Sequence, residues 1–578
     1  MSDILKTQRS FARKAEAHPD HRFDDLYHLI CRWDWLETAL QHVLSNKGAR
    51  TPGVDGITKD DLQTPEQQRE FLELLQQELK TGTYQPLPVD RVWIPKANKH
   101  ELRGLGIPCL RDRVVQEMLR MMMEPIWESD FLDCSCGFRP GRRTMDAIWC
   151  CQRRIHTQNR YYWVIEGDIR KCFDRINHTI LLNLIRKRIV DHRIVNLITA
   201  FLKAGVLENG LFATTKEGTP QGGVVSPLLA NIYLHAFDVW WWEKYGSLDA
   251  NAKRSRRSHQ QGNAILVRYA DDFIMLWNGT HEGAKQLRDE IKAFLWDTLQ
   301  LELAEQKTHI THVMDGFDFL GFHVQLYPQK GKRPLLLVKP TDANIQRFKI
   351  KIKNLLREQT ALMPTDVKFQ QLNRVIRGWG NYYRHSNLTT TAKKVDWWLN
   401  ERVLIWLKDK HKGVGVRRIL QQYKVREKKG QNERYNFASP DDKGKIVHLA
   451  LLADIRITKY YWKRQPNPYL STESILQQPE METPFADVKD MQFDGDNARL
   501  QKQRRRALKR DHYRCQMCHR TWDETSIHVH HLIPRHEGGQ DTLDNLVTLC
   551  EDCHISTPTF GRKPQANREE SSSESRMR

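Results

Sequence analysis

Two adjacent carboxylates, Asp271 and Asp272, interrupt a strongly apolar stretch of this 578-residue chain. Ala264-Ile265-Leu266-Val267 lies before them and Phe273-Ile274-Met275-Leu276-Trp277 after, which predicts a hairpin with both acids at its turn. Like charges side by side on an apolar base are costly unless a cation compensates them, and hard oxygen ligands suit Mg²⁺. A third acid would allow two metals to be clamped for in-line phosphoryl transfer. Asp168 is the candidate, because the strand-like run Tyr161–Ile165 leads through Glu166-Gly167 into it and a helical pattern follows. Taken alone, that Asp reads as a helix cap or turn residue. A second chemistry sits near the C-terminus. Cys515-Gln516-Met517-Cys518 and Cys550-Glu551-Asp552-Cys553 are two CxxC pairs, the spacing of a four-thiolate structural Zn²⁺. His528-Val529-His530-His531 and Asn545 lie between the pairs, and His554 follows them.

The elements that must position these groups follow from periodicity. Residues 1–81 read as mainly helical, with a Gly- and Pro-rich break at 46–56 and a helix over about 65–81. Residues 82–335 mix strands and helices. Within them, 244–262 reads as a polar, mobile loop whose Lys253-Arg254-Ser255-Arg256-Arg257 run is either solvated or in contact with nucleic acid. From 336 to 410 the pattern is helical, with Ile345, Phe348, Ile352, Leu355 and Leu356 forming one apolar stripe beside a basic face. A basic, aromatic-rich region covers 411–470. Residues 471–498 read as a linker, 499–560 as the Cys/His module, and 561–578 as a disordered tail.

Composition narrows the partners. The chain carries 91 Lys and Arg against 71 Asp and Glu, a formal net charge of +20, which predicts a polyanionic partner. Seventeen Trp residues suit base stacking beside phosphate contacts. Its 11 cysteines show no disulfide framework and point to a reducing compartment. Neither a secretory signal nor a membrane span is expected.

Seven blocks in order then carry a family resemblance. They are Thr51–Gly56, Gly137–Arg142, Glu166–Asp174, Gly218–Gly223 with Ser226-Pro227-Leu228, Tyr269–Asp272, Phe317–Phe322, and the segment Gln371–His385. The chain resembles a group II intron-encoded reverse transcriptase and maturase of the bacterial or organellar kind with a C-terminal HNH endonuclease. The resemblance implies a multidomain fold, mainly α with α+β: a right-hand polymerase with fingers, palm and helical thumb, plus a small zinc-stabilised ββα-metal HNH module. The fingers and palm would be 82–335, the thumb or maturase X domain 336–410, and the helical extension 1–81 would bind RNA.

The same resemblance assigns roles. Asp168, Asp271 and Asp272 would hold two Mg²⁺, with Asp272 the less direct ligand. Phe173 would be an aromatic gate beneath the nucleotide sugar, favouring dNTPs. Lys96 and Arg103 would hold the triphosphate, and Gln221 with its neighbours would floor the pocket. Lys307 matches a further family position or is a surface lysine. The aromatics of 371–385 are either core or RNA-stacking. In the module, Cys515, Cys518, Cys550 and Cys553 would hold structural Zn²⁺, His531 would be the general base, Asn545 would orient its loop, and His530 and His554 would bind a catalytic divalent metal; Pro558 stands where some such enzymes have a further His. The implied partners are group II intron RNA and target double-stranded DNA, in a bacterial cytoplasm or an organelle interior. Another reverse transcriptase of retron or defence type, a splicing factor without polymerase activity, and a zinc-stabilised DNA-binding module without cleavage are the competing readings.

Overall fold

The structure is a computed structural model that describes residues 3–95, 102–155, 160–208, 211–213, 217–219, 222–357, 361–429, 432–462, 467–471, 507, 510–511, 514–519, 527–533, 540, 542–550 and 553. The chain divides into two compact units, Ser2–Asp487 and Val488–Arg578.

The first unit begins with helices Asp3–Ala17, Trp33–Ser45 and Pro65–Thr81. The third has its ends written into the sequence. The Thr64 hydroxyl accepts from Gln67 N, the Gln67 side chain returns to Thr64 N, Pro65 opens the helix, and Gly82 closes it at φ +73°. The first two pack on Leu110–Trp127, a helix buried nearly all round, and the third packs on Trp33–Ser45, whose buried residues include Trp35, Leu36, Ala39 and Leu40.

Strands follow in chain order: β1 (Val89–Pro95), β2 (Leu102–Ile107), β3 (Trp163–Asp168), β4 (Val206–Glu208), β5 (Leu211–Ala213), β6 (Ala264–Tyr269), β7 (Asp272–Trp277) and β8 (His309–His312). One sheet has the order β2-β1-β4-β5. The other, β6-β7-β3-β8, is wholly antiparallel. In it β6 is buried through Arg268 and β7 from Phe273 onward, which explains continuous apolar runs where a half-exposed sheet would alternate. The helices Ser226–Trp241 and His281–Leu299 pack against it. A further sheet joins β9 (Phe317–Phe319), β10 (Phe322–Gln329) and β11 (Lys332–Pro340). In β10, Phe322, Val324 and Leu326 are buried while the residues between them are not, the period of two expected of a one-faced strand.

Helices Asp342–Leu355, Thr365–Tyr383 and Thr389–Lys410 come next. Phe348 and Ile352 are buried, and Ile345, Leu355 and Leu356 pack beside them, as the stripe requires. Trp379 and Tyr383 are core residues, Trp379 tilted against Phe348 and Tyr383 edge to face with Phe322, so these two rings are filled by packing. The basic region that follows is tied to these helices. Helix Val416–Tyr423 leads into β12 (Lys424–Lys429), β13 (Asn432–Pro440) and β14 (Ile446–His448), and Asn373 bonds His448 O at 2.7 Å and Ala450 N at 2.6 Å. Further on, buried Tyr469 donates to Glu124 at 2.5 Å.

One expectation fails. Residues 244–262 are not a loop: Ala250–Ser258 is a helix, begun by Asp249, whose carboxylate accepts from Ala252 N. The Arg256 guanidinium lies 5.3 Å over the Tyr245 ring and donates to Gly262 O, so packing holds a segment too polar to show an apolar stripe. None of the 11 cysteines is in a disulfide. Among the described residues, no helix is long and apolar enough to cross a membrane.

In the second unit, β15 (Ile527–His531) pairs antiparallel with β16 (Leu546–Cys550). Cys515, Leu549 and Cys550 form one small core and Ala507 with Leu546 another.

Candidate functional site

Strand pairing brings the acids together. The β3–β7 register sets Asp168 opposite Asp272, and the β6–β7 register sets Tyr269 opposite Asp272. Asp271 is therefore in the two-residue turn, and all three acids share one end of the sheet, beside its two central strands. The turn is tight. Ala270 adopts φ +58°, a left-handed value for the first central residue of a hairpin turn. Asp168 and Asp271 are half-buried and Asp272 is exposed. Buried Cys172 lies beneath; burial raises its thiol first, and the carboxylate of Asp271, then that of Asp168, raises it further.

Lys307 lies against this group of acids. Its Nζ donates to Asp168 Oδ2 at 2.8 Å, so an ammonium already compensates one carboxylate of the set. The backbone assists: Ala304 N donates to Asp168 O at 2.8 Å. A cation therefore fits this end of the sheet, and the donor set is all hard oxygen, the chemistry Mg²⁺ takes while keeping waters and substrate oxygens.

Sequence reasoning missed the support beneath the turn. Arg268, the last residue of an otherwise apolar run, is fully buried. Its Nε donates to Asp238 Oδ1 at 2.8 Å, Nη1 to Ala270 O at 2.9 Å and Asn231 Oδ1 at 3.1 Å, and Nη2 to Ser135 Oγ at 2.8 Å. Burial alone would raise the Asp238 carboxyl, but the charge and hydrogen bonds of Arg268, joined by His235, hold it at about 2. A lone arginine in an apolar strand was the available signal, since a buried charge needs a partner. Gly137 closes the other side. A Cβ there would sit 2.2 Å from Ala270 N, and Asn231 Nδ2 donates to Gly137 O at 2.9 Å.

Phe173 lies in the turn Cys172–Arg175, half-buried, and its carbonyl accepts from Thr219 N at 2.8 Å. The 218–223 segment thus starts against the candidate gate, and a Cβ on Gly222 would lie 2.4 Å from Gly106 O of β2. Lys96 and Gln221 fall outside the described residues, as does the side chain of Arg103, whose backbone is in β2.

In the second unit the four cysteine sulfurs lie within 4.8 Å of one another; among the described residues this is the one such group of three or more His, Cys, Asp or Glu ligands. Burial opposes ionisation of Cys515, but backbone N–H groups of Cys518, Cys550 and Met517 prevail and lower it. Hydrogen bonding with Cys550 does most to push Cys553 up, to about 12. Four thiols crowded this closely suit a soft divalent ion that replaces their protons, and Zn²⁺ fits the set. His530 and His531 sit on β15. Asn545 stands between the two strands, just before β16: its Oδ1 accepts from Ile533 N at 2.8 Å, and its Nδ2 donates to Ile533 O at 3.1 Å and Gln540 O at 2.9 Å. It therefore ties down the segment immediately after the histidines. His554 lies outside the described residues.

Three family models match, in order. Residues 94–324 match the reverse transcriptase (RNA-dependent DNA polymerase) model, 345–424 the group II intron maturase-specific domain, and 515–557 the HNH endonuclease model. Protein YkfC of Escherichia coli K12 is 43% identical over 337 residues, covering 55% of this chain and 87% of that protein. The group II intron-encoded protein LtrA of Lactococcus lactis subsp. cremoris is 34% identical over 371 residues, covering 56% of this chain and 61% of LtrA. The mitochondrial nuclear intron maturase 1 of Arabidopsis thaliana is 25% identical over 288 residues, 37% of this chain and 40% of that protein. By these matches the chain belongs to the group II intron-encoded proteins, with reverse transcriptase, maturase and HNH endonuclease domains in that order.

Proposed function

We propose that this protein binds a group II intron RNA, assists its splicing, nicks one strand of a target DNA, and copies the intron RNA from the 3′ end so made. The observation that carries the copying step is the register of β3 with β7, which sets Asp168 opposite Asp272 beside the Asp271 turn. In this reading residues 82–335 are fingers and palm, 336–410 the thumb and maturase helices, 411–470 a DNA- or RNA-binding region, and 1–81 an RNA-binding extension. Asp168 and Asp271 hold two Mg²⁺, with Asp272 as a weaker ligand. When bound, Mg²⁺ supplies Lewis acidity toward the primer hydroxyl and the departing pyrophosphate. Asp168 accepts the Lys307 ammonium until substrate arrives. Phe173 stands where a ribose 2′-hydroxyl would clash. Lys96 and Arg103 bind the triphosphate, and Gln221 floors the pocket.

In the second unit, His531 takes a proton from the attacking water, as imidazole can near neutral pH. Asn545 fixes the segment after it. His530 and His554 hold one divalent ion at the scissile phosphate, and the Cys515, Cys518, Cys550 and Cys553 thiolates hold Zn²⁺ that stabilises the module.

Primer extension on an RNA template tests the first centre. Asp271→Asn is expected to lower extension by at least about a hundredfold while RNA binding persists; full extension removes Asp271 from the site. For the second centre, His531→Ala is expected to abolish target-strand nicking and leave splicing assistance intact. Unchanged nicking excludes His531 as the base.

A further inference from the structure

Phe138 combines three properties that packing alone does not explain. Its backbone is left-handed, at φ +56°, where a residue with a bulky side chain is an outlier. The residue is 51% exposed although it is held between two pinned neighbours. And its ring meets Phe173 edge to face, with centroids 6.4 Å apart and planes at 81°, a favourable aromatic geometry.

The neighbours explain how the strain is sustained. On one side, Gly137 is pressed against the Ala270 backbone and bonded by Asn231. On the other, buried Arg139 donates through Nε and Nη2 to Glu128 and through Nη1 to Leu132 O and Ser135 O. The chain must reverse between these two anchors, and a glycine or asparagine would do so without strain. Phenylalanine stands there instead. Strained residues that persist at a site commonly serve it, and here the ring faces the candidate gate.

We propose that Phe138 is a specificity-determining residue of the nucleotide pocket. Its ring buttresses Phe173 and fixes the aromatic wall against which a ribose 2′-hydroxyl is excluded. The inference rests on the reading of Phe173 as the sugar gate, but concerns a different residue. A side chain that can swing aside excludes little, so an aromatic wall needs a second surface behind or beside it. Phe173 is only half-buried, and the turn that carries it is short. Phe138 supplies the missing contact from a backbone fastened to the catalytic turn itself, so gate and carboxylates share one support.

The test uses the full chain with an RNA template and DNA primer, and measures kcat/KM for one dNTP and the matching rNTP. Phe138→Gly suits the left-handed backbone, so it removes the ring without straining the loop; a thermal melt checks the fold. Phe138→Asn is the second variant, since its side chain also tolerates that conformation. Both are expected to lower the dNTP-over-rNTP ratio about tenfold, through improved rNTP use. Phe138→Tyr, which keeps the ring, is expected to restore it. Phe173→Ala should lower the ratio further, and adding Phe138→Gly to it should change nothing more. An unchanged ratio in folded Phe138→Gly overturns the proposal whatever Phe173→Ala does. An unchanged ratio in Phe173→Ala overturns the gate reading beneath it. Additive losses in the double variant overturn action through Phe173.

Discussion

Arg268 and Asp238 form a fully enclosed ion pair directly behind the turn that carries Asp271 and Asp272. The same guanidinium that meets Asp238 also donates to Ala270 O, Asn231 and Ser135. A buried pair of this kind adds little net stability compared with apolar packing, but losing one partner leaves a charge uncompensated. Here its value lies in placement: the helix Ser226–Trp241, through Asp238 and Asn231, the segment at Ser135 and the turn at Ala270 converge on one side chain that holds the acidic turn.

Asp238→Asn is expected to destabilise the first unit by about 3–5 kcal/mol, measured by urea unfolding. The pH dependence has a definite sign. The carboxyl lies near 3.8 when unfolded and is held at about 2 when folded, so its contribution is complete above about pH 4 and is lost as pH falls toward 2. The variant should lose part of that acid limb. Glu117, also held at about 2 by Arg120 and His42 against its burial, is among the groups that keep the rest. An acid limb identical to the parent's would contradict the pairing.

Gly137→Ala tests the contact from the opposite side. A Cβ placed 2.2 Å from Ala270 N must push backbone against backbone. Overpacking of this kind costs about 1–3 kcal/mol, yet primer extension should fall by about a hundredfold, because a displaced catalytic turn loses alignment. Extension is measured well below the melting temperature. Activity that tracks stability alone would show that Gly137 does not set the turn.

Lys307 competes with any metal for Asp168, since its ammonium lies 2.8 Å from Oδ2. Lys307→Met removes that competitor, so the half-saturating Mg²⁺ concentration for extension should fall, whatever happens to the maximal rate. A titration showing a higher requirement would mean that the lysine helps to assemble the metal site.

Cys518→Ser should release zinc from the purified protein, lowering metal content from about one equivalent toward none. The second unit is compact by itself, so nicking should vanish while primer extension continues. Loss of extension in parallel would show that the two units depend on each other.

Local patterns made several features legible. Thr64-Pro65, Gln67 and Gly82 mark both ends of a helix because capping bonds are made within a few residues. The stripe through Phe348 and Ile352 gave its buried face for the same reason. The run Lys253–Arg257 misled because a short polar helix has no apolar period; Asp249 and Tyr245 stabilise it instead.

By itself, the sequence determined the chemistry: paired carboxylates between two apolar strands, two CxxC pairs, and a basic chain suited to nucleic acid. Those signals depend on residue type and near spacing, which a linear chain displays. Only the tertiary structure decided that Asp168 faces Asp272, that Lys307 caps Asp168, and that Arg268 is buried beneath the turn. These pairings span tens to more than a hundred residues, and sheet register with core packing selects them. The Asp271 turn keeps its position because Arg268 and Gly137, remote in sequence from each other, leave its backbone no other place to lie.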